Sequence, residues 1–169
     1  MNHFFERLIL SAADQEVSKS PNTTFVEVAI PDGVLGAAKE FRNFDPNRIQ
    51  SFTIEKNRIL LSMKLLDFEL SIREFKSTIE AFYDEVHNGS SEEVEVFTDF
   101  MYDDDLRVLQ CFVEGERYLT DISFEIIEAS LVIDALYYQL YLGLQPKVTV
   151  QYIHGHTKKL LAKKEFPLL

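Results

Sequence analysis

The chain has 169 residues, 46% of them apolar with 14 Phe and 7 Tyr, and only six Gly and five Pro. That is the usual size of one domain with enough apolar material for a core, which excludes fibrous and disordered classes. The net charge is −11 and Cys111 is the single cysteine, so a zinc cluster or a disulfide framework is excluded by count.

From the N-terminus, residues 3–18 read as a helix, with Phe4, Phe5, Leu8 and Ile9 on one face. Glu6 and Arg7 interrupt the apolar patch there and no basic region precedes it, which makes a poor signal peptide. Nothing in the chain approaches 18 uninterrupted apolar residues, so no spanning helix is expected and the expectation is a soluble, cytoplasmic protein. "TTFVEVAI" (23–30) is β-branched and ends on the turn signal Pro31-Asp32-Gly33. "VLGAAKEFRNF" (34–44) predicts a short helix through Val34, Ala38 and Phe41.

"IQSFTIEKNRILLSMKLLDFELSI" (49–72) predicts two or three strands. Phe52 and Ile54 alternate before a turn at Lys56-Asn57, and Ile59, Leu61, Met63 and Leu65 alternate after it. A helix follows: Ser71 and Glu74 have capping-box spacing, Ile72, Phe75, Ile79, Phe82 and Val86 recur every three or four residues, and Asn88-Gly89 stops it. "EVEVFTDFM" (93–101) predicts a strand with Val94, Val96 and Phe100 on one side and Glu93, Glu95 and Asp99 on a wet side. Asp103–Asp105 connects it to "LRVLQCFVEG". A third strand is expected in "RYLTDISFEII" (117–127), where Tyr118, Ile122, Phe124 and Ile126 alternate with Asp121, Ser123 and Glu125. "EASLVIDALYYQLYLG" (128–143) predicts a second helix, and "KVTVQYIHG" with "HTKKLLAKKEF" a closing hairpin. The expected fold is a single α+β domain over 1–169: a mostly antiparallel sheet, hairpin plus three-stranded meander, packed with two to three helices.

Charge is unevenly placed. Ten acidic residues and no Lys or Arg lie between Ser77 and Leu106, whereas the tail from Lys147 carries Lys147, Lys158, Lys159, Lys163 and Lys164 against Glu165. Such a field repels nucleic acid and favours encounter with a basic partner. Within it, Asp103, Asp104 and Asp105 are adjacent and lack the spaced oxygen ligands and the Gly of a calcium loop, so a hairpin turn, compatible with a partner-binding patch, is the better reading than a metal site. His154-Gly155-His156 lacks a third ligand for zinc and reads as a turn. No nucleophile elbow, phosphate loop or dinucleotide fingerprint is present, and Cys111 has no basic surroundings, so the residues support no catalytic, cofactor or metal assignment. Tyr137 and Tyr141, one turn apart on the second helix, are candidate interface anchors on its flank, or else core tyrosines whose tips reach water.

Between Ile49 and Leu142 the order of elements resembles bacterial immunity proteins that neutralise polymorphic toxins, of the WapI type. "LLDFELSIREFKSTIEAFYDEV" resembles the passage into their first helix and "YLTDISFEIIEASLVIDALYYQL" the passage into the second. The tryptophan such proteins often carry near the first strand is missing. The resemblance implies a cytoplasmic binding protein that masks an enzyme's active site, with acidic charge suited to a basic toxin nuclease. The candidate partner-binding residues are Glu93, Glu95, Asp99, Asp103, Asp104, Asp105, Tyr137 and Tyr141. Two other readings remain open at this level: a small-ligand or enzymatic domain with a pocket between sheet and helices, and an accessory subunit of a phage or secretion assembly. The oligomeric state is not legible.

Overall fold

The structure, a computed structural model, describes residues 24–89, 96–115 and 122–167. The helix expected over 3–18, and the residues Glu93, Val94, Glu95, Tyr118 and Asp121, lie outside the described residues. In chain order the elements are β1 (Phe25–Pro31), a 3-10 turn (Ala38–Glu40), β2 (Ile49–Ile54), β3 (Arg58–Lys64), α1 (Leu65–Asn88), β4 (Phe97–Tyr102), β5 (Val108–Val113), α2 (Ile122–Tyr141), β6 (Val148–His154) and β7 (Leu160–Phe166). They form two sheets, ordered β1-β3-β2 and β4-β5-β6-β7, in which every pairing is antiparallel except β5 with β6. The α+β class, dominated by antiparallel pairing, is therefore as the patterning indicates.

Alternation makes the first sheet one-sided. Val28 and Ile30 of β1 and Ile59, Leu61 and Met63 of β3 are all buried on its inner face. β3 runs directly into α1 with no side-chain cap; instead Thr24 accepts a hydrogen bond from the Leu65 N–H at 2.9 Å, so the entry to β1 satisfies one free donor of the helix. The helix thus begins seven residues before the capping-box spacing suggests, with Lys64 rather than Ser71 at the N-cap. Ser71 lies inside it, buried, and its hydroxyl donates to the Asp67 carbonyl one turn back at 2.9 Å. Leu65, expected to continue the strand, is the first helical residue. The helix expected over 34–44 is reduced to the single 3-10 turn.

The expected third strand of the meander is also corrected: its residues from Ile122 onward are the first turns of α2. In a strand, Ile122, Phe124 and Ile126 would share a face. Here Phe124 is 2% exposed while Ile122 and Ile126 are 72% and 65% exposed, on opposite sides as a helix requires. The strand that does pair with β5 is β6. Because it runs parallel, the chain must cross over between them, and α2 is that crossover.

Two apolar clusters result, and both helices serve both. Ile79 and Phe82 of α1 and Phe124, Leu131, Val132, Ala135 and Leu136 of α2 pack on the four-stranded sheet. Phe68 of α1 and Leu140 and Tyr141 of α2 pack on the three-stranded sheet. Leu136 and Leu140, one turn apart on α2, therefore belong to different cores.

Candidate protein-binding face

The hairpin that carries the aspartates is built from the inside. Leu106 is fully buried at the turn with φ +54°, and its N–H donates to the Asp103 carbonyl at 2.9 Å. Gln139 of α2, itself fully buried, donates through Nε2 to the carbonyls of Leu106 (2.9 Å) and Lys147 (3.1 Å), and its Oε1 accepts from the Lys147 N–H at 2.7 Å. One amide therefore pins the turn, the helix and the start of β6 together, with its donors and acceptor all used. The sequence offered no signal for this, since a lone Gln in an apolar helix carries no pattern.

The three aspartates divide into two roles. Asp103 closes the hairpin: its Oδ1 accepts from the Val108 N–H at 2.8 Å. Asp104 and Asp105 occupy the turn and are exposed, with Arg107 3.6 Å from Asp105. The turn reading of the triplet thus describes the backbone, and the two outward carboxylates remain for a surface role.

Those two carboxylates meet others from α1. The Tyr102 phenol is pushed above its ordinary value by burial first, then by Glu80, Tyr83, Asp84 and Asp104. Tyr138 of α2 is raised the same way, by burial and then by Asp105, Asp104 and Glu80. Glu80 and Asp104 thus act on both phenols, Asp84 on Tyr102 and Asp105 on Tyr138, so carboxylates of the helix and of the hairpin lie around the same two tyrosines, and the Tyr83 and Tyr102 rings meet edge to face at 5.9 Å. Lys76 lies 3.9 Å from Glu80; Asp84 and Asp104 have no ion pair among the described residues. Only Asp104 and Asp105 of this set were candidates from the sequence. Glu80 and Asp84 belong to the same basic-free stretch, and the helical period of α1 placed them on one face.

The other candidates fall elsewhere. Asp99 sits at a β-bulge between Phe97 and Asp99, which lets both Phe97 and Phe100 face the core. Its Oδ1 accepts from the Phe100 N–H at 2.8 Å and lies 3.1 Å from His87 Nε2, while His87 stacks on Tyr83 at 4.0 Å. Tyr141 is 3% exposed and stacks on Phe68 at 5.6 Å, and Tyr137 stacks on Phe75 at 5.1 Å. This pair joins the helices internally; Tyr141 is a core residue rather than an anchor on an open flank. Burial pushes the Tyr137 phenol up to about 12.

Three of the five lysines of the basic tail are paired locally. Lys163 lies 2.7 Å and Lys147 3.7 Å from Glu165, Lys164 lies 2.9 Å from Glu128, and Lys158 sits over the Phe112 ring. His154 accepts from backbone N–H groups of its own turn, and His156 lies 2.9 Å from Glu114. No group of metal-ligating side chains that could hold an ion occurs among the described residues, and no described helix is long and apolar enough to cross a membrane. Cys111 is buried, and its thiol is raised to about 12, first by burial and then by Glu128. A shallow cleft of about 320 Å³ lies between the first sheet and the 3-10 turn, lined by Ile30, Ile59, Leu35, Phe41, Phe44 and Tyr137, with Glu40 and Arg42 at its rim.

No family model, curated protein or solved structure matches the chain.

Proposed function

We propose that this chain is a non-enzymatic protein-binding module that holds a basic partner on the face made by α1 and the β4–β5 hairpin. The observation that carries it is the convergence of Glu80, Asp84, Asp104 and Asp105 around Tyr102 and Tyr138, on a helix and a hairpin braced by a buried amide. Rigid tyrosines supply contact area at low entropic cost, and the carboxylates steer a positively charged partner into place. A module that covers its partner's catalytic groups in this way suits an immunity or antitoxin role against a basic toxin such as a nuclease, in keeping with the resemblance of the element order.

Affinity capture with the tagged chain from its native cells, followed by binding kinetics with the captured protein, tests the reading. The expected partner is basic, with an association rate that falls as salt rises. Absence of any protein partner, or a partner indifferent to salt and to charge reversal on this face, would sink it. The cleft lined by Phe41, Phe44 and Tyr137 together with Glu40 and Arg42 favours a second reading, a small-ligand site. Phe44→Asp, placed at the cleft and away from the acidic face, separates the two: it leaves partner binding intact under the first reading and abolishes ligand binding under the second.

A further inference from the structure

Among the described residues the two sheets leave four edge strands, β1, β2, β4 and β7. An unpaired edge is a template for another strand, and proteins blunt it with charge, proline or bulges. Three of these edges are blunted. β1 carries Glu27 and ends on Pro31, β4 carries Asp99 at a bulge, and β7 carries Lys163, Lys164 and Glu165. β2 is different: after its bulge at Gln50 it reads Ser51-Phe52-Thr53-Ile54, without a charge or a proline, and all four residues are exposed.

The hydrogen-bond phase of that edge follows from its turn. Glu55 N–H donates to the Arg58 carbonyl at 2.8 Å, so Thr53, two residues back, also bonds to β3, and the intervening Ile54 and Phe52 point their N–H and C=O groups outward. At the start of the strand the Ile49 carbonyl is already covered, by the Asn43 side chain at 3.1 Å. The open backbone groups are therefore those of Phe52 and Ile54. Their side chains, 40% and 44% exposed, lie on the inner-face side, where Phe52 packs edge to face on Phe41 at 5.0 Å.

We infer that β2 pairs with β2 of a second copy of this chain, antiparallel about a two-fold axis at Thr53, joining the two three-stranded sheets into one of six. In that register Phe52 of each copy bonds opposite Ile54 of the other, which closes both pairs of open backbone groups. It also sets two aromatic–β-branched contacts side by side. Thr53 faces its symmetry mate across a non-hydrogen-bonded position on the outer face. The symmetry of the open groups about Thr53 points to a second copy as the occupant, since Phe52 and Ile54 complement each other when the strand meets itself antiparallel, and charge permits it. Two chains of net charge −11 repel wherever their carboxylates meet, and this uncharged edge belongs to the sheet that does not carry the hairpin aspartates. Near it the acids are already matched: Arg48 bonds Glu74 through both terminal nitrogens and lies 3.6 Å from Asp45, and Arg58 pairs with Glu55. The pairing leaves the acidic face of each copy open.

Sedimentation equilibrium of the full chain over a wide concentration range tests this. The expected result is reversible association to twice the 19.6 kDa mass of the chain, lost in Thr53→Lys, which sets two ammonium groups face to face at the axis while leaving the ladder to β3 intact. A second variant does not depend on loss: Thr53→Cys should form an intermolecular disulfide under mild oxidation, since opposed positions of this kind bring the Cα atoms to about 4.5 Å. The chain's own Cys111 is buried and does not compete. A chain that stays monomeric throughout overturns the inference. So does a dimer that survives Thr53→Lys, or one that fails to cross-link through Thr53→Cys.

Discussion

Gln139 holds the hairpin that presents the acidic face, so its replacement separates stability from charge. Gln139→Leu removes three hydrogen bonds and leaves the Leu106 carbonyl unsatisfied in the interior and the Lys147 carbonyl and N–H unsatisfied in partly buried positions. We expect a loss of about 2–3 kcal/mol in urea unfolding, the cost of stranding buried polar groups. Faster amide exchange around Leu106 should accompany it. A loss below half a kcal/mol would show that the amide is dispensable and the turn is set by Leu106 alone. Asp103 belongs with this scaffold rather than with the binding surface, since its carboxylate caps the Val108 N–H. Reversing all three aspartates together would therefore confuse unfolding of the turn with loss of charge. Gly155 makes a comparable local demand: a Cβ there would run into the Thr98 hydroxyl, where the β6–β7 turn crosses β4.

At the level of elements, α2 is where pattern and structure part, and the reason is physical. A helix that is apolar on nearly every side has no helical period in its hydrophobicity, so a run such as Ile122-Ser123-Phe124-Glu125-Ile126 reads as alternation. Mutation distinguishes the two arrangements. Phe124→Ala should cost about 3–5 kcal/mol as a fully buried aromatic, and Ile126→Ala less than about half a kcal/mol as an exposed one. Similar costs at both positions would restore the strand. Elements whose sequences carry one clear period were legible: β1, β3, the stop of α1 at Gly89 with φ +60°, and the β6–β7 hairpin. The start of α1 was not, because its free N–H is met by Thr24, some forty residues earlier in the chain. The candidate site was half legible. The hairpin position of Asp104 and Asp105 follows from local turn chemistry, but their meeting with Glu80 and Asp84 depends on how α1 packs on the second sheet.

At the scale of the whole molecule, carboxylates of α1 and the β4–β5 hairpin gather around Tyr102 and Tyr138, while Tyr137 and Tyr141 join the helices in its interior. That interior gives a pH dependence of definite sign. Tyr137 is raised to about 12 by burial and then by Asp134, and burial raises Tyr141, Tyr102 and Tyr138 as well. In the unfolded chain these phenols ionise near the ordinary value of about 10. Above that pH the native state keeps protons the unfolded state has lost, so stability falls as pH rises toward the native values. Thermal unfolding followed from neutral pH into the alkaline range should show this decline, steeper than in Tyr137→Phe. A flat profile would place the phenols in water.

The central claim is that charge on the helix–hairpin face holds a basic protein. Its most direct measurement is the association rate of the captured partner with the native chain and with Asp104→Lys/Asp105→Lys, at low and at physiological salt. Both substituted side chains are exposed, so the variant should unfold with the native midpoint. The expected result is an association rate at least about tenfold slower for the variant at low salt, with the difference shrinking as salt screens the field. An unchanged association rate at both salt concentrations, in a variant of native stability, would contradict the account.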